Sequence, residues 1–138
     1  MGSMKAKSSF KLTTAKEVAF SEVEGGPKLT KGYFEMDYIG ELQGIGVLQE
    51  LKCYMTDSAA TVYGFERITG RVGTKSGSFV LEHAGKFEEG ILTSKRTVVQ
   101  DSGTGELTGI FGGINFESGN AEEFTIVLNY DFEYKFSD

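Results

Sequence analysis

Tryptophan is absent from the 138-residue chain, and cysteine, proline and histidine each occur once. A lone thiol, Cys53, rules out an intramolecular disulfide and fits a reducing compartment, so a cytoplasmic location is expected. One histidine and one cysteine cannot supply a zinc site of ordinary ligand count, and no metal or other cofactor is expected. A single proline beside nineteen glycines excludes proline-rich disorder and collagen-like structure.

No apolar run approaches the ~20 residues of a membrane-spanning helix, and the N-terminus lacks the charged, apolar and small-residue order of a signal peptide. Basic residues number 14 against 20 acidic ones, for a net charge of −6, and they are scattered, which argues against a nucleic-acid surface. Familiar catalytic signatures are missing as well. Thr108 stands where a dinucleotide fingerprint over Gly103 to Gly109 needs glycine, Lys75-Ser76 follows Thr74 rather than a phosphate-loop glycine, and no Gly-x-Ser-x-Gly elbow occurs. The adjacent acids Glu88-Glu89 and Glu122-Glu123 read as solvated turn residues, because neighbours on a strand point opposite ways.

What is present is alternation of period two, broken by glycine at intervals suited to a sandwich or barrel. The pattern predicts strands over Phe10 to Val23, Thr30 to Ile39, Leu42 to Met55, Thr61 to Thr69, Ser78 to Phe87, Ile91 to Gln100, Gly113 to Glu117, and Phe124 to Phe136. They form one all-β domain over residues 4–138, closing into an antiparallel barrel of about eight strands. Met1-Gly2-Ser3 reads as a cloning remnant.

In the last strand Phe124, Ile126, Leu128, Tyr130, Phe132, Tyr134 and Phe136 share a face, which is expected to point inward. The same rule turns Phe34, Met36 and Tyr38 inward, and Phe79, Leu81, His83 and Phe87 with them. Cys53 shares a face with Ile45, Val47, Leu51 and Met55 and is expected to be a small buried hydrophobe. Strand glycines Gly32, Gly44, Gly46, Gly64 and Gly85 suit the coiling of a small barrel. Asp101 to Gly109 suits a turn with one helical turn.

Four segments, Gly40-Glu41-Leu42-Gln43-Gly44, Tyr63-Gly64-Phe65-Glu66-Arg67-Ile68-Thr69-Gly70, Ser76-Gly77-Ser78-Phe79-Val80-Leu81-Glu82-His83 and Ser102-Gly103-Thr104-Gly105-Glu106-Leu107-Thr108-Gly109, together resemble a bacterial family, domain of unknown function 3224. The resemblance runs over nearly the whole chain. The family in turn is similar to the allene oxide cyclase-like barrels, which include the dirigent proteins. This implies an eight-stranded barrel with a mostly apolar lumen, in a superfamily whose members guide reactive small molecules, and it implies no reaction of the family's own. Ala15 and Arg96 stand where tryptophan is common in the pattern.

Chemistry-bearing residues are few. His83 lies on the apolar face of its strand, where it is either a general base or a satisfied core imidazole. Glu66 shares a face with Val62, Gly64 and Ile68 and becomes an inward carboxylate if that face looks inward; otherwise Tyr63, Phe65 and Arg67 line the lumen. Arg96 either receives a carboxylated ligand or, as expected first, pairs with surface acids. The candidate catalytic residues are therefore Glu66 and His83. The candidate ligand-binding residues are Phe34, Met36, Tyr38, Cys53, Phe79, Leu81, Arg96, Leu128 and Tyr130.

Three functions are compatible with these residues. The barrel binds a small apolar or amphipathic molecule, or it is a cyclase or isomerase in which Glu66, His83 or Tyr130 moves a proton. As a third reading it is a structural module forming a homo-oligomer through outward apolar residues such as Val80 and Val127. No nucleic acid and no membrane is expected as a partner.

Overall fold

A computed structural model describes residues 4–118 and 123–133. The predicted positions Tyr134, Phe136 and Glu122 lie outside the described residues. Nine strands follow in order: β1 (Met4–Ser21), β2 (Lys28–Gly40), β3 (Leu42–Thr56), β4 (Ala59–Val72), β5 (Lys75–Glu88), β6 (Ile91–Val98), β7 (Thr104–Gly105), β8 (Ile110–Glu117) and β9 (Phe124–Phe132). All pairings are antiparallel. β1 to β6 pair consecutively, β6 pairs β8, β8 pairs β9 and β9 returns to β1, so eight strands close on themselves while β7 lies beside β5. A closed sheet of this kind satisfies backbone groups without a helix, and alternation then places every second side chain inside. None of the described residues forms a helix long and apolar enough to cross a membrane.

The β5 to β6 connection is a two-residue turn, Glu89-Gly90, in which both residues have positive φ, 50° and 84°. Such a turn matches the right-handed twist of the strands it joins. Gly44, Gly70 and Gly77 sit side by side across β3, β4 and β5. A β-carbon on Gly44 or Gly70 would strike the neighbouring strand's backbone, so this row lets three long strands coil tightly at one end.

That end is plugged from above. Leu107, 1% exposed, inserts from the β6 to β8 connection into the core formed by residues such as Leu42, Val72, Phe79 and Phe132. The connection is stitched to β5 by Glu106 N–H to the Ser76 carbonyl (2.9 Å), Ser78 Oγ with Thr104 Oγ1 (2.6 Å), and Val80 N–H to Ser102 Oγ (3.0 Å). Instead of the expected helical turn it forms a two-residue strand and tight turns. The side chains of Ser102, Thr104 and Glu106 hold β5 backbone and side-chain groups, which competes with helix formation.

The opposite end is open on one side. β1 pairs β9 only from Met4 to Phe10, whereas it pairs β2 on to Ser21, so its second half is hydrogen-bonded on one edge among the described residues.

β3 reverses one expectation. Its inward row is Leu42, Gly46, Leu48 and Glu50, and the row Ile45, Val47, Leu51, Met55 faces out. Cys53 belongs to that outer row, half-buried between Leu29 and Thr61, and does not line the lumen. Alternation defines two faces but not which one is inside when both carry apolar residues. Here glycine dilutes the inner row, because side chains from β2 and β4 fill the space above it.

Candidate functional site

β4 settles with Val62, Gly64, Glu66 and Ile68 inside and Tyr63, Phe65 and Arg67 outside. Glu66 is completely buried. Its Oε2 accepts a hydrogen bond from the Tyr38 hydroxyl, and His83 Nε2 lies 2.8 Å from Oε1. Three strands thus deliver one relay: Tyr38 from β2, Glu66 from β4 and His83 from β5. The room for it comes from Gly46, where a β-carbon would collide with Glu66 Oε2 and stand 2.9 Å from the Tyr38 ring.

Burial shapes the protonation of this cluster. It drives the Tyr38 hydroxyl well above the ordinary tyrosine range, and the adjacent Glu66 pushes further in that direction while Arg96 opposes. Burial pushes His83 below its ordinary value, with the Glu66 hydrogen bond working against that shift and Arg96 adding to it. His83 is therefore a neutral imidazole at neutral pH, and Tyr38 is a hydroxyl donor.

Arg96 lies directly across from His83 on β6, 4% exposed, and is not the surface residue the polar stretch Thr93 to Thr97 suggests. Strand alternation decides this: Ser94, Arg96 and Val98 all face inward. Its Nε donates to Ser94 Oγ (3.0 Å), and its guanidinium carbon lies 4.2 Å from the Phe116 ring centre and 5.7 Å from that of Phe10. Its Nη1 is buried without a hydrogen-bond partner. Among the described residues the ion pairs, Lys52 with Glu17 and Glu50, do not include it, and neither does the His83 to Glu66 contact.

A groove of about 1250 Å³ runs along β5, β6 and β8 and is lined by residues including Lys86, Lys95, Asn115, Ser94 and Phe116. Most of its lining, including Ala84, Lys86, Thr93, Lys95 and Asn115, belongs to the outward rows of these strands, so the groove lies on the barrel's outer face; Tyr38, Glu66, His83 and Arg96 are not part of it.

The comparisons with known proteins bear on what this arrangement belongs to. The family described as "Protein of unknown function (DUF3224)" matches residues 6–134. The chain belongs to the DUF3224 family. A crystal structure of a DUF3224 protein of unknown function from Shewanella oneidensis MR-1 has a TM-score of 0.79 and 25% identity, covering 96% of this chain and 99% of that one. No curated protein matches the chain.

In this DUF3224 barrel the other predicted positions fall into distinct places. Met36, Phe79, Leu81 and Leu128 are packed within the core, each 0–2% exposed. Phe34 is half-buried towards the open end, under the Lys52 ammonium group. Tyr130 lies towards the plugged end, its hydroxyl near Gly73 in the β4 to β5 turn, and does not join the relay.

A polar network at the open end escapes a reading of the sequence. Glu17 accepts from Thr30 Oγ1 and Tyr54 Oη, both at 2.8 Å, and from Lys52 Nζ at 3.1 Å, while Lys52 also meets the buried Glu50 at 3.3 Å. Burial would raise Glu17, but these three donors outweigh it and hold the carboxyl below its ordinary value. Continuing the Leu42, Leu48 alternation by two residues would have turned Glu50 inward. Nothing in the local pattern marks Glu17, which lies beyond a bulge near Thr13 that shifts the alternation of β1. No group of three or more His, Cys, Asp or Glu that could hold a metal occurs among the described residues.

Proposed function

We propose that this barrel binds a small amphipathic carboxylate, with Arg96 as the anchor for its charge. The observation that carries the reading is the guanidinium group: buried, stacked on Phe116, and left with Nη1 unsatisfied. A buried cation without an anionic partner is costly, and a planar carboxylate matches its remaining donors. Aromatic rings around it, Phe10, Phe116 and Phe124, offer apolar surface to the ligand's body. The tight packing of Leu81 and Leu128 argues for a seat among these rings, on the open-end side of Arg96, rather than at the lumen centre. We place this activity in the cytoplasm, in keeping with the free thiol of Cys53.

The test is isothermal titration with octanoate and phenylpropanoate, using octanol as the uncharged control. Wild type should bind the carboxylates and not octanol, and Arg96→Met should lose the preference. Absence of carboxylate binding by wild type, or its persistence in Arg96→Met, defeats the proposal.

A second reading is catalytic and rests on the Tyr38, Glu66, His83 relay. His83 and Arg96 are direct cross-strand neighbours, which brings their β-carbons within roughly 5.5 Å. The carbon next to a carboxylate held by Arg96 would therefore lie near a neutral imidazole able to take a proton from that carbon and return one to it, as an isomerase requires. Solvent deuterium entering the carbon next to the bound carboxylate, and lost in His83→Gln, is the result this reading expects.

A further inference from the structure

The outer surface of the barrel is uneven. The outward positions of β1 and β6 mix Lys5, Lys7, Lys11 and Lys95 with exposed apolar residues such as Val18 and Ile91. Those of β3 and β4 carry Ile45, Val47, Leu51, Met55, Tyr63 and Phe65, which are 39–54% exposed. Leu51 and Tyr63 are direct cross-strand partners, and the Tyr63 and Phe65 rings meet edge to face at 5.6 Å. Six side chains of this size present on the order of 600 Å² of apolar surface, the upper end of what a monomer leaves in water.

Charge is arranged on either side of this stripe. At the level of Val47 the cross-strand partners are Glu35 on β2 and Arg67 on β4. Asp37 extends the acidic side along β2 next to Ile45. Among the described residues Arg67 makes no hydrogen bond or ion pair. The row therefore reads acid, apolar, base, with the two charged strands roughly 4.8 Å on either side of β3.

We infer that this face is a docking surface for a second copy of the chain, related by a two-fold axis running along β3. A half-turn about that axis lays one β3 stripe on the other and carries Glu35 of each copy over Arg67 of its mate. A two-fold axis across the strands would instead set Glu35 against Glu35, so the charges select the aligned arrangement. An isologous contact needs such a self-complementary patch, and the alternation of sign supplies it.

Sedimentation equilibrium at micromolar concentration tests this. The expected species has twice the 15.1 kDa chain mass, and Phe65→Glu, an outward position, gives a folded monomer. Glu35→Arg and Arg67→Glu should each weaken dimerisation at least about tenfold, and the double swap should restore it. A monomeric wild type would overturn the proposal and point to a different protein on this face. A multimer indifferent to Phe65→Glu, or single swaps that the double swap does not rescue, would overturn it equally.

Discussion

Gly46 and Glu66 share one space: the missing β-carbon of Gly46 on β3 is where the Glu66 carboxyl group, reaching over from β4, comes to rest. The glycine thus determines whether a buried acid fits beneath the Tyr38 ring.

Gly46→Ala should cost about 1–3 kcal/mol of folding stability, because a methyl group must displace packed, hydrogen-bonded neighbours. Urea unfolding followed by tyrosine fluorescence measures it. The penalty should shrink in a Glu66→Ala background, where the space is free, and a purely additive double mutant would refute the shared-space account.

Glu66→Ala strands the Tyr38 hydroxyl and removes the partner of His83, with an expected loss of about 2–4 kcal/mol. Glu66→Gln keeps the shape and an acceptor oxygen and should lose markedly less. Equal losses would mean that volume alone matters.

The lowered pKa of His83 makes stability depend on pH with a definite sign. The unfolded chain takes up a proton near the ordinary value of 6.5, whereas the folded chain resists it to lower pH. Below about 6.5 the unfolded state binds more protons, so stability falls as pH drops and is fully restored above that value. Wild type should lose stability between pH 6.5 and 5, a window above the carboxylate range, and His83→Gln should lack that component. Parallel curves for the two proteins would contradict the assignment.

Arg96→Met replaces a buried, incompletely paired cation with an apolar chain of similar reach. Its stability should stay within about 1 kcal/mol of wild type or rise, even as carboxylate binding is lost. A loss above about 2 kcal/mol would show that the guanidinium group already has compensation without a ligand.

Leu107→Ala tests the plug. Truncating this side chain, 1% exposed, should destabilise by about 2–5 kcal/mol. A change below about 1 kcal/mol, read by urea unfolding, would show that the β6 to β8 connection only covers the barrel end.

Much of the architecture was legible because strand periodicity is a local property. Phe34, Met36, Tyr38 and Ile126, Leu128 announce their faces within a few residues, and glycine spacing announces eight long strands. The inward turn of His83 followed from the same rule. The outward turn of Cys53 did not, since β3 is apolar on both sides and only the demands of Tyr38 and Glu66 decide which row is thinned to glycine. Arg96 was misplaced for a related reason: a polar stretch suggests water, but register with His83 and Ile114 carries this one residue inside.

By itself, then, the sequence determined the all-β class, the eight strands that close the barrel and the mostly apolar interior, since those depend on alternation and turn chemistry along the chain. Only tertiary structure decided that Tyr38, Glu66 and His83 meet, that Arg96 faces the aromatic rings, and that Leu107 closes one end. Those outcomes depend on which strands become neighbours and in what register, and a pairing between distant segments is written in no single stretch of sequence.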